Sequence, residues 1–154
     1  MLEVERIADQ IRRAFEGDAW HGPSLMELLP AVTSLVADAH PVSNAHSVWE
    51  IVNHLTVWKR AVLQRMNGHA VELIGEADWP TVRDNSEEAW QKSLQDLQDA
   101  QKKLYDAVIA LPESRLDEQV PDRNHSIRYM LVGVAQHELY HAGQIAVLRK
   151  AAVS

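Results

Sequence analysis

The chain has 154 residues and carries 22 acidic against 15 basic side chains, which gives a net charge of -7. This acidic balance argues against sequence-independent binding to nucleic acid, because such binding needs basic side chains that neutralise phosphates. Cysteine is absent, and this excludes disulfides, thiolate metal ligands and cysteine nucleophiles. The length fits a single domain over residues 1–154.

The N-terminal region predicts one helix followed by short helical segments. Its first residues carry acids where a signal peptide carries bases, and no apolar run in the chain could span a bilayer, so we expect a cytoplasmic protein without membrane contact. Apolar residues at helical spacing predict a helix over residues 2–16, which Gly17 ends. Ser24 and Glu27 match a capping box for a short helix, and two prolines keep the region up to residue 43 in short segments.

Three longer helices are predicted in the rest of the chain. Ser47 and Glu50 form a capping box for a helix that runs to about residue 66. Ser86 precedes a helix that ends before residue 112, and Ser126 precedes a helix over residues 127–151. Apolar residues in steps of three and four are typical of bundle packing. The sequence therefore predicts an all-α four-helix bundle with short extra helical segments after the first helix.

The candidate functional residues are histidines on the predicted helices. His137 and His141 are four residues apart, so both imidazoles lie on one face of the last helix, where they can bind one metal ion. The same stretch reads His-Glu-x-x-His, as in zinc proteases, but the extended motif needs Gly and His where this chain has Gln144 and Val147. A di-iron site fails as well, because no second Glu-x-x-His element exists.

His54 on the second long helix is the expected third ligand. It lies at the edge of the apolar stripe and should face the interior, where it would meet His137 and His141 if their helices are neighbours. Three neutral imidazoles leave coordination positions open, and Zn²⁺ held in this way lowers the pKa of a bound water to about 7 or activates a thiolate. Ni²⁺, Cu²⁺ and Fe²⁺ suit the same ligands.

Two alternatives remain open for these residues. The three histidines could be ordinary core residues with hydrogen-bond partners, although their apolar neighbours offer few such partners. Glu138 lies near the edge of the predicted buried face of the last helix, with His137 and His141 in its middle. Glu138 is either a general base that acts through a metal-bound water or a solvated surface residue.

Three stretches carry a family resemblance: residues 20–25 (WHGPSL), 46–55 (HSVWEIVNHL) and 136–145 (QHELYHAGQI). They resemble the DinB family of damage-inducible proteins, in its DinB/YfiT-like group, and the likeness extends over nearly the whole chain. The resemblance implies an up-down-down-up bundle, commonly a homodimer, with a metal ion held by His54, His137 and His141. Related members include transferases and isomerases that use bacillithiol or mycothiol, and others are described as metal-dependent hydrolases.

Two functions from different classes follow. The first is a metal-dependent enzyme with a divalent ion, Zn or Ni, that acts on a small-molecule substrate either as a thiol-dependent S-transferase or as a hydrolase. A low-molecular-weight thiol and a second copy of the chain would be its partners. The second is a non-catalytic stress-related or interaction module, in which the metal is structural or absent.

Overall fold

The computed structural model describes all 154 residues and confirms the all-α class. It contains no β-strand, and six α-helices follow one another along the chain: α1 (Glu3–Glu16), α2 (Leu25–Leu28), α3 (Ser34–Asp38), α4 (Val48–Met66), α5 (Glu87–Ile109) and α6 (Ile127–Ala151). Short 3-10 turns occur at Leu29–Ala31, Gly75–Ala77 and Glu113–Arg115. None of these helices combines the length and apolar character needed to cross a membrane.

Side-chain caps determine where the long helices α4, α5 and α6 begin. The hydroxyl of Ser47 accepts the backbone N–H of Glu50 at 3.1 Å, and the Glu50 carboxylate accepts the N–H of Ser47 at 2.7 Å. Ser86 and Ser126 each accept the backbone N–H three residues further along the chain. These bonds satisfy amides that have no partner within the helix, and they confirm the three predicted starts.

The four long helices form a bundle in which α4 and α1 each pack against α5 and α6. Near their first turns, α4 and α5 meet through the rings of Trp49 and Trp90, whose centroids are 5.2 Å apart. Beyond their ends, Arg115 donates to the carbonyl of Met66 at 2.9 Å. The start and the end of α4 thus lie beside the start and the end of α5, so these two helices run parallel.

The other pair, α1 and α6, is also parallel, because Glu3 at the start of α1 forms a salt bridge with Arg128 at the start of α6. The two pairs run in opposite directions. Val48 in the first turn of α4 shares an apolar cluster with Leu148 near the end of α6, and Met66 at the end of α4 shares one with Ile127. The up-down-down-up arrangement implied by the family resemblance is therefore present.

A polar layer divides the core into two apolar clusters. One cluster has 17 buried residues around Trp49 and Trp90, and the other has 15 buried residues towards the opposite end of the bundle. Along α4, α5 and α6 the positions between the clusters are occupied by buried polar side chains, namely Lys59, Gln101, Glu138 and His141. The buried polar side chains therefore lie halfway along the bundle, between two apolar clusters that stabilise the helices on either side.

Candidate metal centre

Three histidines from α4 and α6 bring their Nε2 atoms together. The Nε2 of His137 lies 3.1 Å from the Nε2 of His54 and 3.1 Å from that of His141. One ligand atom from each residue lies within 4.8 Å of the other two. Two nitrogens bound to a tetrahedral ion at 2.0–2.1 Å are about 3.3 Å apart, so the spacing suits one ion. The expectation that α4 and α6 are neighbours and that His54 meets the α6 pair is met.

Hydrogen bonds from Nδ1, the ring nitrogen that faces away from the other histidines, hold two of these imidazoles in their orientation. The Nδ1 of His54 donates to the backbone carbonyl of Asp78 at 2.9 Å, and the Nδ1 of His141 donates to the side-chain oxygen of Gln144 at 2.6 Å. Because both acceptors are oxygens that have no proton to give, the protons lie on Nδ1 and the lone pairs on Nε2. Two lone pairs therefore point at the Nε2 of His137, and the position between the three nitrogens suits either the proton of a neutral His137 or a cation bound by all three.

Burial keeps the three imidazoles neutral, which is the form that binds a metal. It lowers the pKa of His54 and of His141 below the usual histidine value. For His137, burial and then the neighbouring His141, His54 and Lys59 lower the pKa to about 3. Protons therefore compete weakly for these nitrogens near neutral pH, and the donor set fits a divalent ion.

Residues of the connection between α4 and α5 close one side of the site. The indole of Trp79 is stacked between His54, at 3.8 Å, and His46, at 3.6 Å. The carboxylate of Asp78 lies 3.0 Å from the Nδ1 of His54 and accepts the indole N–H of Trp58 at 2.7 Å. Sequence reasoning missed Asp78 and Trp79. An acid beside a tryptophan in an irregular connection was the available signal, and it says nothing about which helix the pair contacts.

The burial of α6 differs from the predicted pattern at two positions. Glu138 is 2 % exposed, so the alternative that it is a solvated surface residue is wrong. His137 was expected in the middle of the buried face and is instead only half-buried. The cause is that α6 contacts α1 as well as α4, which centres its buried face on Glu138 and leaves His137 at the α4 side.

Glu138 belongs to a buried hydrogen-bonded group at mid-height in the bundle. Its Oε2 forms a salt bridge with Lys59, which is 3 % exposed. The ammonium of Lys59 also donates to Oε1 of Gln101 at 2.8 Å and lies 5.2 Å from the ring centre of Phe15. The Oε1 of Glu138 is buried and has no hydrogen-bond partner. That free oxygen is the one buried side-chain acceptor left without a partner, and the role of Glu138 as a general base stays a prediction.

A cavity of about 230 Å³ lies between α4 and α6 and reaches His137, one of the three histidines. His137, Glu138 and Lys59 line one end of it, and Arg65 lines the other. The wall between the two ends is mainly apolar and is formed by Leu55, Trp58, Val62, Met130, Gly133 and Val134, with His125 and Tyr129 near Arg65. A small organic molecule in this cavity would therefore lie beside the three-histidine site.

Comparison with known proteins relates this chain to one family. The family model described as the DinB superfamily matches residues 20–145, which include α2 to most of α6 and all three histidines. No curated protein and no solved structure matches the chain.

Proposed function

The chain belongs to the DinB superfamily, and on this basis we propose that it is a metal-dependent enzyme that acts on a small organic molecule. The observation that carries the proposal is the convergence of three Nε2 atoms from His54, His137 and His141. A divalent ion on three neutral imidazoles, Zn or Ni in our proposal, supplies open coordination positions that activate a thiol or a water. The adjoining cavity favours an enzyme over a purely structural site.

Glu138 is our candidate for the proton acceptor. Its Oε1 has no hydrogen-bond partner, and the residue lines the cavity beside His137. Lys59 binds the other carboxylate oxygen and so holds the group in one orientation. In this proposal a thiol S–H or a water O–H that comes within hydrogen-bond distance of Oε1 transfers its proton to that oxygen, as general base catalysis requires.

Two chemistries fit this site, an S-transferase that uses a low-molecular-weight thiol and a hydrolase. They differ in the nucleophile, so a spectroscopic titration separates them. Thiols added to cobalt-substituted protein should produce a thiolate-to-metal charge-transfer band if the protein is a transferase. If no band appears at saturating thiol, the hydrolase is favoured. A non-catalytic module predicts instead that removing the metal lowers only the melting temperature, and that no solvent exchanges at the ion.

The metal assignment itself is tested on protein without an affinity tag. Elemental analysis should find about one divalent ion per chain in the wild type and almost none in His141→Ala, because two imidazoles bind far more weakly than three. His69→Ala is the matched control, since His69 is exposed in the connection after α4, and it should keep the wild-type metal content. Full occupancy in His141→Ala would refute the proposed centre.

We further propose that the protein is a homodimer that associates through the outer face of α6. Exposed apolar side chains on one face of that helix support this, because Tyr129, Val132, Tyr140 and Val147, which are three, eight and seven residues apart, are all exposed. Light scattering should give twice the chain mass for the wild type and a lower mass for Tyr140→Asp. A monomeric wild type at micromolar concentration would contradict the dimer without affecting the metal site.

A further inference from the structure

Arg65 is a buried cation without a carboxylate partner. It is 4 % exposed, and its Nε and Nη2 donate to a single backbone oxygen, the carbonyl of Val71, at 3.2 and 2.7 Å. The guanidinium lies 5.2 Å from the ring centre of Trp58. A guanidinium has five N–H donors, so one carbonyl leaves several of them unused. Because a buried charge is costly unless it is paired, this arrangement calls for an anion.

A second guanidinium shares the same carbonyl. Arg123 donates from Nη2 to Val71 at 3.3 Å and from Nη1 to the backbone carbonyl of Asp122 at 3.1 Å. It forms no salt bridge either. Burial and the charge of Arg123 both lower the pKa of Arg65. Two like charges held together without an acid are unusual in a chain of net charge -7, and an anion between them would remove the repulsion.

Arg65 stands at the opposite end of the cavity from the histidines. The salt bridge between Lys59 and Glu138 marks the end near His137. Arg65 follows Lys59 by six residues on α4, which is about 9 Å along the helix axis at 1.5 Å per residue. The walls between these ends are mainly apolar. A ligand that fills the cavity therefore meets an apolar wall along its length and a guanidinium at the end distant from the histidines.

We propose that the cavity binds a small carboxylate-bearing molecule, whose carboxylate is held by Arg65, which lines the cavity, and whose other end reaches the three-histidine site. Arg123 does not line the cavity and contributes through its positive charge beside Arg65. The planar guanidinium matches a carboxylate through two parallel N–H bonds, which a neutral amide cannot reproduce. The reactive end of the ligand rests on the function proposed above. The carboxylate end depends on the arginines and can be tested separately.

The test compares two probes that differ only in charge, 8-mercaptooctanoate and 8-mercaptooctanamide, whose extended chains suit the length of the cavity. In calorimetric titrations the wild type should bind the acid about tenfold or more tightly than the amide, as expected for charge-assisted hydrogen bonds. Arg65→Gln should remove this preference while the amide affinity stays unchanged. Arg60→Gln is the matched control, because Arg60 is exposed on the same helix, and it should keep the preference.

Two further variants keep the test decisive if Arg65→Gln folds poorly. Arg123→Gln should reduce the preference for the acid severalfold. Gly133→Leu should weaken the binding of both probes equally. A Cβ at residue 133 meets no atom within 4 Å, and because this residue lines the cavity, the leucine side chain would extend into it. Equal affinities of acid and amide for the wild type, or a preference that survives in Arg65→Gln, would overturn the inference. A wild type without bound metal would refute only the proposed enzyme, because the comparison of acid with amide does not involve the histidines.

Discussion

Replacing Lys59 with methionine should destabilise the protein strongly, because it leaves the carboxylate of Glu138 buried without its cation. The two side chains are 3 % and 2 % exposed, so the carboxylate would be left without its cation and largely desolvated. Removing one member of a buried ion pair costs about 3–5 kcal/mol. For a domain of this size, a loss of 3–5 kcal/mol corresponds to a melting temperature lower by about 6–20 °C.

Replacing both members of the pair should recover most of that loss. In Lys59→Met/Glu138→Met neither charge remains, and methionine fills a similar volume, which makes the exchange close to neutral in other buried pairs. The oxygen of Gln101 loses the Lys59 ammonium as donor, which costs about 1 kcal/mol. The double variant should therefore lie within about 2 kcal/mol of the wild type, whereas adding the two single losses predicts about 6–10 kcal/mol.

Urea denaturation followed by circular dichroism at pH 7 measures these differences. The protein is treated with a chelator first, because a bound ion would add its own stabilisation to the folded state. Lys92→Met is the control, since its pair with Asp96 is exposed at the surface, and it should change the free energy of unfolding by less than about 1 kcal/mol. A loss below about 1 kcal/mol in Lys59→Met, or additive losses in the double variant, would refute the assigned role of the pair.

Three further predictions concern the site and its helix. The pKa of His137 is about 3 in the folded protein against 6.5 for an ordinary histidine, so the unfolded chain binds more protons between these values. The stability of the metal-free protein should therefore fall as the pH is lowered from about 6.5 towards 3, and less steeply in His137→Gln. Asp78→Ala should weaken metal binding about 10–100-fold in a chelator competition assay, because the carboxylate beside His54 is lost. Gly143→Ala should raise the free energy of unfolding of the monomer by about 0.5–1 kcal/mol, since within one chain a Cβ meets no atom at this helical position.

Each of these three predictions has an outcome that contradicts it. Parallel pH profiles for the wild type and His137→Gln would show that His137 is not buried as a neutral imidazole. For Asp78, the control is Glu72→Ala, an exposed acid of the same connection, and equal metal affinities of the two variants would contradict the role of Asp78. Because Gly143 lies on the face proposed for the dimer, this variant is compared with the wild type at a concentration where light scattering gives the mass of one chain, and a less stable Gly143→Ala there would contradict the prediction.

The helices and two of the candidate metal ligands were predictable because their signals are local. A serine followed three residues later by a glutamate starts α4, and the bonds between Ser47 and Glu50 lie within a single helical turn. The spacing of His137 and His141 places both on one face of any helix, whatever packs against it. The apolar stripe of the second long helix indicated that His54 faces the interior, and the structure places it beside the α6 pair. The family resemblance added the order of helix directions, which agrees with the structure.

The burial of Glu138 could not be predicted from the local sequence. A helical wheel gives the relative angle between Glu138 and His137, but it does not say how far the buried face extends, which depends on how many neighbours the helix has. Because α6 contacts both α1 and α4, the carboxylate is buried against Lys59 and the imidazole is only half-buried. The cavity follows from the same packing, since it is the space that α4 and α6 leave between them.

The sequence by itself thus determined the helix boundaries, the all-α class and the histidine pair, because hydrogen bonds and periodicity act over one or two turns. Only the tertiary structure decided which residues complete the site. Asp78 and Trp79 come from a connection without periodicity, and Arg65 comes to share a carbonyl with Arg123 from a distant part of the chain. Such contacts form only when all the helices have packed, because the packing of the whole bundle decides where each connection lies. They therefore cannot be read from any single stretch of sequence.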